Sequence, residues 1–455
     1  MEMTDLLSAA NLQSLRASPV LRAPAYARLA ALVPCAGADP DWSAVTEAIP
    51  CLAPLRRTPQ DPRYHAEGDV WTHTKMVVRS LAGLEDYAAA SAERRFVLFY
   101  AALLHDIAKP ATTRVDSETG AIGQPGHSAR GAVDARILLW RSGVPFDIRE
   151  AVCRLIQVHQ LPFYAIRGSR SGESAERVLR RLSLELSLRE LAALAEADMR
   201  GRICADRDEV LVDIALFREL AREEACYDRP REFADRWTRM RYVRGEDVHP
   251  DYAYHREAGS VVTVLSGLPA TGKSTWIGQH CRGLPVVGFD DAREALGLKH
   301  GKNEGAVMHF AVDQAKALLR DGRPFVWNAT HLSRQMRAKT LDLLFAYGAE
   351  VNVVYREAAE PAIMARNRKR DTSLTNAALE RMLHRWEVVS PAEAHSVTYH
   401  VDGDVFRTTA DPTASAGGSG PTTRASPEVP RTAGPPAGGR GSSPEPDRNR
   451  ARSVS

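Results

Sequence analysis

The sequence predicts a multidomain protein in which an all-α part precedes an α/β part built on a parallel sheet flanked by helices. The chain has 455 residues, which is long enough for two or three domains. Its first half is rich in apolar stretches with helical periodicity and has no convincing alternating strand pattern. In its second half, short β-branched runs alternate with helical segments, an order that favours parallel strands covered by helices.

The composition excludes several classes of protein. Hydrophobic residues make up 44% and charged residues 26% of the chain, and no apolar run approaches the ~20 residues of a membrane span, so no membrane partner is expected. The start, Met1 to Asp5, lacks the basic segment and apolar core of a secretory signal, so we expect a cytoplasmic location. Six dispersed cysteines argue against a disulfide framework and a zinc knuckle. The net charge of +3 does not by itself predict a nucleic-acid partner.

The first half divides into three segments. Residues 1–42 form an N-terminal segment to which no role is assigned. Residues 43–228 form the predicted all-helical domain, in which Phe96–Leu104 and Ala132–Trp140 show the helical pattern most clearly. Residues 229–259 are charged and aromatic, and they are predicted to form a connector.

The second half contains the predicted α/β domain, residues 260–408. Its strand candidates are the β-branched runs Val261–Leu265, Pro324–Trp327 and Val351–Tyr355. From residue 409 to residue 455 the composition changes to Ser, Pro, Gly, Thr and Arg, with almost no large apolar residue. Such a segment cannot bury a core, so we expect a disordered tail.

A phosphate-binding loop is the most specific motif of the chain. The run from Ser266 to Thr275, SGLPATGKST, follows a predicted strand and can open a helix, which is the context that a P-loop requires. Its loop amides and helix N-terminus favour negative charge. Lys273 would reach the β- and γ-phosphates, and Ser274 would offer its hydroxyl to Mg²⁺. The motif predicts ATP and Mg²⁺ as cofactors, bound by Gly267, Leu268, Pro269, Ala270, Thr271, Gly272, Lys273, Ser274 and Thr275.

Histidines and aspartates form a second constellation, in the helical half. Adjacent His105 and Asp106 end an apolar run shortly before Lys109 and Pro110, where proline breaks the helix. The surrounding segments add His73, His127, His159 and Asp198. Each histidine alone is more often a packed or surface residue than a ligand. Together, imidazoles and carboxylates suit a transition metal that activates water and binds a phosphate oxygen, as in a phosphoesterase.

This order of ligands resembles the HD-domain metal-dependent phosphohydrolases, over roughly Ala48 to Arg202. The run from Arg63 to Thr74, followed by the His105-Asp106 segment, is most similar to the HD domain attached to bacterial CCA-adding tRNA nucleotidyltransferases. The resemblance implies a divalent metal such as Mn²⁺, Ni²⁺ or Co²⁺. It implies first-metal ligands at His73, His105, Asp106 and Asp198, a second metal or phosphate contact at His127 and His159, and a substrate-phosphate ligand at Lys109.

Downstream residues decide what kind of P-loop protein this is. Asp290 follows the run Val286-Val287-Gly288 at the end of a predicted strand, where it could accept a proton from an attacking hydroxyl. Arg293 could grip a phosphate, although an Asp-capped helix with a surface arginine is also plausible. Arg366 and Arg370 are spaced to share one helix face and stabilise a transferring phosphoryl group, or to form a solvated basic face.

These residues resemble the P-loop polynucleotide 5′-kinases, over about Val261 to His400. The resemblance makes Asp290 the general base on the 5′-hydroxyl and Arg293 a ligand of the 3′-phosphodiester. It makes Arg366 and Arg370 ligands of the donor phosphates. Asn328 stands where many ATPases carry a metal-handling carboxylate, a departure that favours the kinase interpretation.

One chain with both halves resembles the bacterial HD-Pnk group of bifunctional RNA end-healing enzymes. The resemblance implies hydrolysis of a 2′,3′-cyclic phosphate and phosphorylation of a 5′-hydroxyl on RNA or DNA ends. No Lys-centred nucleotidyl-acceptor motif is identified, so sealing would need a separate RNA ligase. Two alternatives remain open: a regulatory P-loop ATPase that senses nucleotides, and a small-molecule kinase fused to a nucleotidase.

Overall fold

The structure is a computed structural model that describes residues 25–167, 172–254, 259–299, 301–369 and 374–407. Most of the predicted N-terminal segment and the whole predicted tail lie outside these residues. Among the described residues, no helix combines the length and the apolar composition that crossing a membrane requires.

The first half is helical, as the sequence predicts. Its helices are α1 (Ala25–Ala31), α2 (Trp42–Ala48), α3 (Val70–Ala82), α4 (Glu85–Ala88), α5 (Ala92–Leu104), α6 (Lys109–Thr112), α7 (His127–Arg141), α8 (Phe146–Val158), α9 (Ala175–Ser183), α10 (Leu188–Arg200) and α11 (Arg207–Glu223), with 3₁₀ turns at Pro50–Arg57 and Leu161–Phe163.

Local signals in the sequence explain where these helices begin. The Asp69 carboxylate accepts a hydrogen bond from the amide of Thr72 at the start of α3, and Ser91 caps α5 in the same way through the amide of Arg94. The run Phe96–Leu104 is buried throughout, so α5 lies at the centre of the helical core.

A small hairpin departs from the all-helical expectation. Strands β1 (Arg114–Val115) and β2 (Ile122–Gly123) pair antiparallel between α6 and α7. Two-residue strands carry no period that a sequence pattern could reveal.

The second half is an α/β domain around one six-stranded sheet. Its strands are β3 (Val261–Ser266), β4 (Val286–Gly288), β5 (Phe325–Asn328), β6 (Glu350–Glu357), β7 (Ser396–Val401) and β8 (Asp404–Arg407), and its helices are α13 (Lys273–His280), α14 (Phe289–Leu296), α15 (Glu304–Arg320), α16 (Arg334–Ala346), α17 (Glu360–Arg368) and α18 (Asn376–Leu383). The strand order is β4-β5-β3-β6-β7-β8. Every neighbouring pair is parallel except β7 and β8, so the parallel sheet carries one antiparallel edge strand.

This topology brings the predicted kinase motifs to one edge of the sheet. Leu265 of β3 pairs with Asn328 of β5, which in turn pairs with Gly288 of β4. The P-loop, Asn328 and Asp290 therefore follow the carboxyl ends of three adjacent strands, where ligands of such sheets bind.

The predicted connector contributes a packed helix, α12 (Arg236–Val243). The Arg239 side chain is buried, and its guanidinium donates to the carbonyl oxygens of Pro391, Ala394 and His395. The segment therefore packs against the α/β half in addition to linking the two parts.

The two halves share a buried polar interface, and the described residues belong to one compact unit. Arg149 of α8 donates to both carboxylate oxygens of Glu357 in β6, at 2.7 and 2.8 Å. Arg149 also reaches Glu150, which is bound by Arg136 of α7. Such a network is costly to break, because removing one member leaves a buried charge without its partner.

Candidate active sites

The six predicted metal ligands converge in the helical half. They come from α3, from the turn after α5, from the start of α7, from the end of α8 and from α10, and all are buried: His73, His105, Asp106, His127, His159 and Asp198. Their ligand atoms fall into overlapping groups in which all atoms lie within 4.8 Å of one another. Residues more than a hundred positions apart in the sequence thus form one cluster, which we call the HD cluster.

Distances within the HD cluster suit a shared cation. The Nε2 atom of His73 lies 3.1 Å from Oδ1 of Asp198 and 3.3 Å from Nε2 of His105. Asp106 extends one oxygen toward His105, at 3.1 Å, and the other toward His127, at 3.4 Å. The donor set is imidazole and carboxylate, which fits Mn, Fe, Co, Ni or Zn.

Backbone carbonyls orient three of the imidazoles. In each, Nδ1 donates to the carbonyl oxygen three residues earlier, which leaves Nε2 to face the cluster: His105 to Ala102, His127 to Gln124 and His159 to Ile156. A donating Nδ1 fixes the tautomer in which Nε2 carries the free lone pair. The chain therefore holds these rings in the form that a metal binds.

The pKa values of three cluster residues are shifted toward the charge states of metal ligands. Burial lowers the pKa of His159 to about 3, with a further contribution from the charge of His105, and burial likewise lowers the pKa of His127. Burial alone would raise the pKa of Asp106, but His105 and Lys109 hold it well below its ordinary value. At neutral pH His127 and His159 are thus neutral and Asp106 is ionised, whereas hydrogen bonds to Asp198 and Glu67 raise the pKa of His73.

Several buried atoms of the cluster make no hydrogen bond. Both oxygens of Asp106 and Nε2 of His159 are inaccessible to water, and none has a well-directed hydrogen-bond partner among the described residues. Oδ2 of Asp106 nevertheless lies 2.7 Å from Nζ of Lys109. Unsatisfied buried polar atoms are costly. A divalent cation bound here would satisfy them, so the residues fit a metal centre.

The sequence did not predict that the Glu67 carboxylate contacts His73 from behind the HD cluster. Oε1 of Glu67 lies 2.7 Å from Nδ1 of His65 and 3.0 Å from Nδ1 of His73, and its other oxygen accepts from the Ile203 amide. Glu67 thereby orients His73 as an outer-shell carboxylate does. The signal was the His-x-Glu spacing in the run that carried the family resemblance.

Asp198 has a dedicated partner as well. Arg202, one turn later, donates to both of its oxygens at 2.9 and 2.7 Å. The bidentate pair fixes the carboxylate plane and offsets part of its charge in a buried setting.

The P-loop adopts the conformation that its glycines predict. Gly267 has φ +139° and Gly272 has φ +88°, values that favour residues without a Cβ. Nζ of Lys273 donates to the carbonyl oxygens of Gly267 and Leu268, at 2.9 and 2.8 Å. Ser274 is exposed at the start of α13. The loop therefore presents a cation, a hydroxyl and the helix N-terminus together.

Arg366 reaches the same loop. It lies on α17, and its Nη1 is 3.4 Å from the carbonyl oxygen of Ala270. Arg370, its predicted partner, lies outside the described residues.

Asp290 lies in the first turn of α14 and Arg293 in its last turn, and the two form an ion pair of 2.8 Å. Arg293 also binds Glu304, at 2.6 Å. The Asp290 side chain is 87% exposed, as an acceptor for an incoming hydroxyl must be. Their predicted roles stay predictions.

Helix α7 runs from the HD cluster to the helix pair α17–α18, whose first member carries Arg366. It begins at His127 of the HD cluster and ends at Arg141, whose guanidinium is 5% exposed and donates to Glu360 at the start of α17 and to Glu380 in α18. Between them, Val133, Ile137 and Trp140 pack into the apolar core of the α/β half. One helix thus joins the metal cluster to the α17–α18 pair beside the P-loop.

Comparison with known proteins separates the same two halves. Residues 70–199 match the model of the HD domain, and residues 262–389 match that of an AAA domain. The chain is 32% identical to the Multifunctional CCA protein of Cupriavidus metallidurans over 214 residues, which are 43% of this chain and 47% of that protein. It is 31% identical to the Multifunctional CCA protein of Ralstonia nicotianae over 186 residues, 40% of this chain and 39% of that protein.

The chain therefore spans less than half the length of the curated relatives it matches. The two matched regions identify the types of domain in this protein, but they do not identify a specific reaction. An HD phosphohydrolase-type domain is followed by a P-loop kinase-like domain in one protein, and the pairing supports a nucleotide-related enzymatic function.

Proposed function

We propose that this protein heals broken nucleic-acid ends, and RNA ends in particular. In this proposal the HD half opens a 2′,3′-cyclic phosphate with water, and the P-loop half phosphorylates a 5′-hydroxyl with ATP. The observation that supports the proposal is that a cluster of candidate metal ligands and a P-loop lie in one compact unit, with α7 running from the cluster to the α17–α18 pair.

The HD cluster has the parts that hydrolysis of a phosphate ester needs. A divalent metal such as Mn²⁺, Ni²⁺ or Co²⁺ would supply an activated water and draw charge from a phosphate oxygen. The Lys109 ammonium group lies against Asp106, and it also donates to Gln60 at 2.6 Å. Lys109 is thereby held at the cluster, where its charge would stabilise a substrate phosphate. Addition of water across one P–O bond leaves a phosphomonoester and a free hydroxyl.

The kinase half supports transfer to a hydroxyl. Lys273 and Arg366 lie around the loop that would hold the β- and γ-phosphates of ATP, with Ser274 placed for Mg²⁺. Asp290 would take the proton as the 5′-oxygen attacks the γ-phosphorus and ADP leaves. The ion pair between Asp290 and Arg293 would hold the arginine beside the 5′-hydroxyl, where the 3′-phosphodiester of the same nucleotide would lie.

The surface next to the HD cluster also fits a nucleic-acid substrate. Tyr64, adjacent to His65, is half-exposed, and the Arg63 guanidinium lies 5.6 Å from the centre of its ring. Exposed rings with neighbouring arginines are typical platforms for unpaired bases. A separate RNA ligase would seal the healed ends.

The test uses one short RNA that carries a 5′-hydroxyl and a 2′,3′-cyclic phosphate. This RNA is incubated with the full chain and ATP·Mg²⁺, and then with Mn²⁺ or Ni²⁺. Mass spectrometry resolves both ends, and a DNA oligomer of the same sequence tests the preference for RNA. We expect phosphate at the 5′ end and an opened cyclic phosphate at the other. Hydrolysis of ATP with both ends unchanged would overturn the proposal and favour a regulatory ATPase or a small-molecule kinase.

A further inference from the structure

Arg356, which no sequence motif singles out, lies against the P-loop. Strand β6 runs parallel to β3, and Tyr355 pairs with Ser266, so Arg356 is level with the first glycine of the loop. A Cβ on Gly267 would lie 2.1 Å from the carbonyl oxygen of Arg356. Only glycine allows this approach, so the loop and the end of β6 are tightly apposed.

The side chain of Arg356 extends along the loop. Alternation along β6 places it on the sheet face opposite Tyr355, together with Val354, which packs near Ile277 of the P-loop helix α13. Its Nη2 is 3.5 Å from the position that a Cβ would take on Gly272, the residue before Lys273. The guanidinium therefore lies beside the N-terminus of α13.

This guanidinium has no compensating anion in the described part of the chain. Its Nε is buried without a hydrogen-bond partner, and no carboxylate of the described residues pairs with the group. Another cation, Arg366, acts on the group, and burial together with Arg366 lowers the pKa of Arg356. A helix N-terminus also repels positive charge. A protein places cations in this way where an anion binds.

We propose that Arg356 is a nucleotide-binding residue that contacts the phosphate chain of the donor, together with Lys273 and Arg366. The inference rests on the proposed binding of ATP by this loop. A polyphosphate would satisfy the unpaired Nε, offset the repulsion between the two arginines and accept the planar fork of the guanidinium. Arg356 thus extends the phosphate site from β3 to the neighbouring strand β6.

The test is binding of ATP·Mg²⁺ to the full chain by calorimetry, for the wild type, Arg356→Gln and Arg356→Lys. We expect Arg356→Gln to weaken ATP binding at least tenfold and Arg356→Lys, which keeps the charge but loses the fork, to weaken it less. Competition by adenosine, which has no phosphate, should be unchanged in both variants. Arg323→Gln is the matched control, because Arg323 is exposed before β5 at the opposite edge of the sheet.

Each outcome decides the inference. An ATP affinity of Arg356→Gln within twofold of the wild type, an equal loss in Arg323→Gln, or a wild type that binds no ATP would overturn it. If Arg356→Gln melts below the wild type, the charge-retaining Arg356→Lys carries the comparison. A wild type that binds ATP through Arg356 but phosphorylates no 5′ end would overturn the proposed function alone.

Discussion

Asp290 and Asp106 sit in opposite environments, which makes their chemistry separable. Asp290 is almost fully exposed beside Arg293, whereas Asp106 is buried among imidazoles and Lys109. The first suits a proton acceptor that a substrate must reach, and the second suits a ligand whose charge is held by its surroundings.

Replacement of Asp290 by Asn is expected to reduce 5′-phosphorylation by about 10²- to 10⁴-fold, the usual contribution of a general base. The cyclic-phosphate activity of the same preparation should change less than twofold, because the HD cluster lies in the other half. End-labelling with ATP and mass spectrometry of the cyclic end measure both. Loss of both activities from a folded Asp290→Asn protein would contradict independent sites.

The reciprocal change, Asp106→Asn, keeps the shape of the side chain but removes a charged oxygen from the cluster. We expect loss of the cyclic-phosphate activity and of Mn²⁺ binding, with 5′-phosphorylation retained. Calorimetric titration with Mn²⁺ checks the binding directly, and unaltered metal affinity would show that Asp106 is not a ligand.

At this scale the sequence identified residues that form a motif and missed those whose place depends on the folded structure. The residues of the HD cluster could be identified because their types and order match a known pattern. Glu67 could not be assigned, since its role comes from a contact with His73 made by folding. Arg356 reaches the P-loop only through the pairing of β3 with β6, which joins segments ninety residues apart. No local pattern records such a pairing.

At the scale of elements, α7 is apolar on more than one face. Ala132, Ala135 and Leu138 lie in the core of the helical half, whereas Val133, Ile137 and Trp140 lie in the core of the α/β half. A helix with two apolar faces is buried between two layers. The sequence predicted the helix correctly, but its periodicity alone could not say that the second face serves the other half.

The C-terminal end of α7 gives an element-scale prediction. Arg141→Ala would remove the guanidinium that binds the carboxylates of both Glu360 and Glu380. We expect a loss of roughly 2 kcal/mol of stability, below the ~3–5 kcal/mol of a fully buried pair because the Glu360 side chain is 28% exposed. Since α17 carries Arg366, the KM for ATP should rise while the cyclic-phosphate activity stays unchanged.

Denaturant unfolding and kinase kinetics check this prediction. Arg200→Ala is its control, because Arg200 forms a surface ion pair with Glu196 inside α10. An equal rise of the KM in both variants, or none in Arg141→Ala, would contradict a positioning role for Arg141.

The sheet shows a similar division between what local pattern predicts and what it does not. The strands β3, β5 and β6 match the β-branched runs within one or two residues. Strand β8 was not predicted as a separate antiparallel edge, since direction depends on the turn after β7 and the partner it meets. Local composition predicts an extended segment, whereas pairing decides its place.

At the scale of the whole molecule, the two halves pack against each other. Phe146 of the helical half packs against Tyr399 of β7, with ring centres 5.1 Å apart, and Trp140 packs against Trp386 at the same distance. Glu357, 2% exposed, is held by Arg149 from the other half. Contact between the halves therefore buries both apolar surface and charge.

A fragment that begins at residue 259 should accordingly be unstable. It would expose the rings of Tyr399 and Trp386 to water and lose the ion pair between Glu357 and Arg149. Differential scanning fluorimetry and limited proteolysis of the fragment and the full chain make the comparison. Co-expression with residues 1–254 is the control and should restore resistance. A monodisperse fragment that melts at the temperature of the full chain would contradict this prediction.

Helix α7 also fixes the distance between the HD cluster and the α17–α18 pair. Its 15 residues span about 22 Å, with one end at the HD cluster and the other at the α17–α18 pair. Because the helix is fixed in both cores, that spacing does not adjust to the substrate. A mononucleotide or dinucleotide could visit only one centre at a time, whereas a strand of roughly seven or more stacked nucleotides, at about 3.4 Å each, could span α7. Substrate length would then decide whether the two chemistries occur in one encounter or in successive ones.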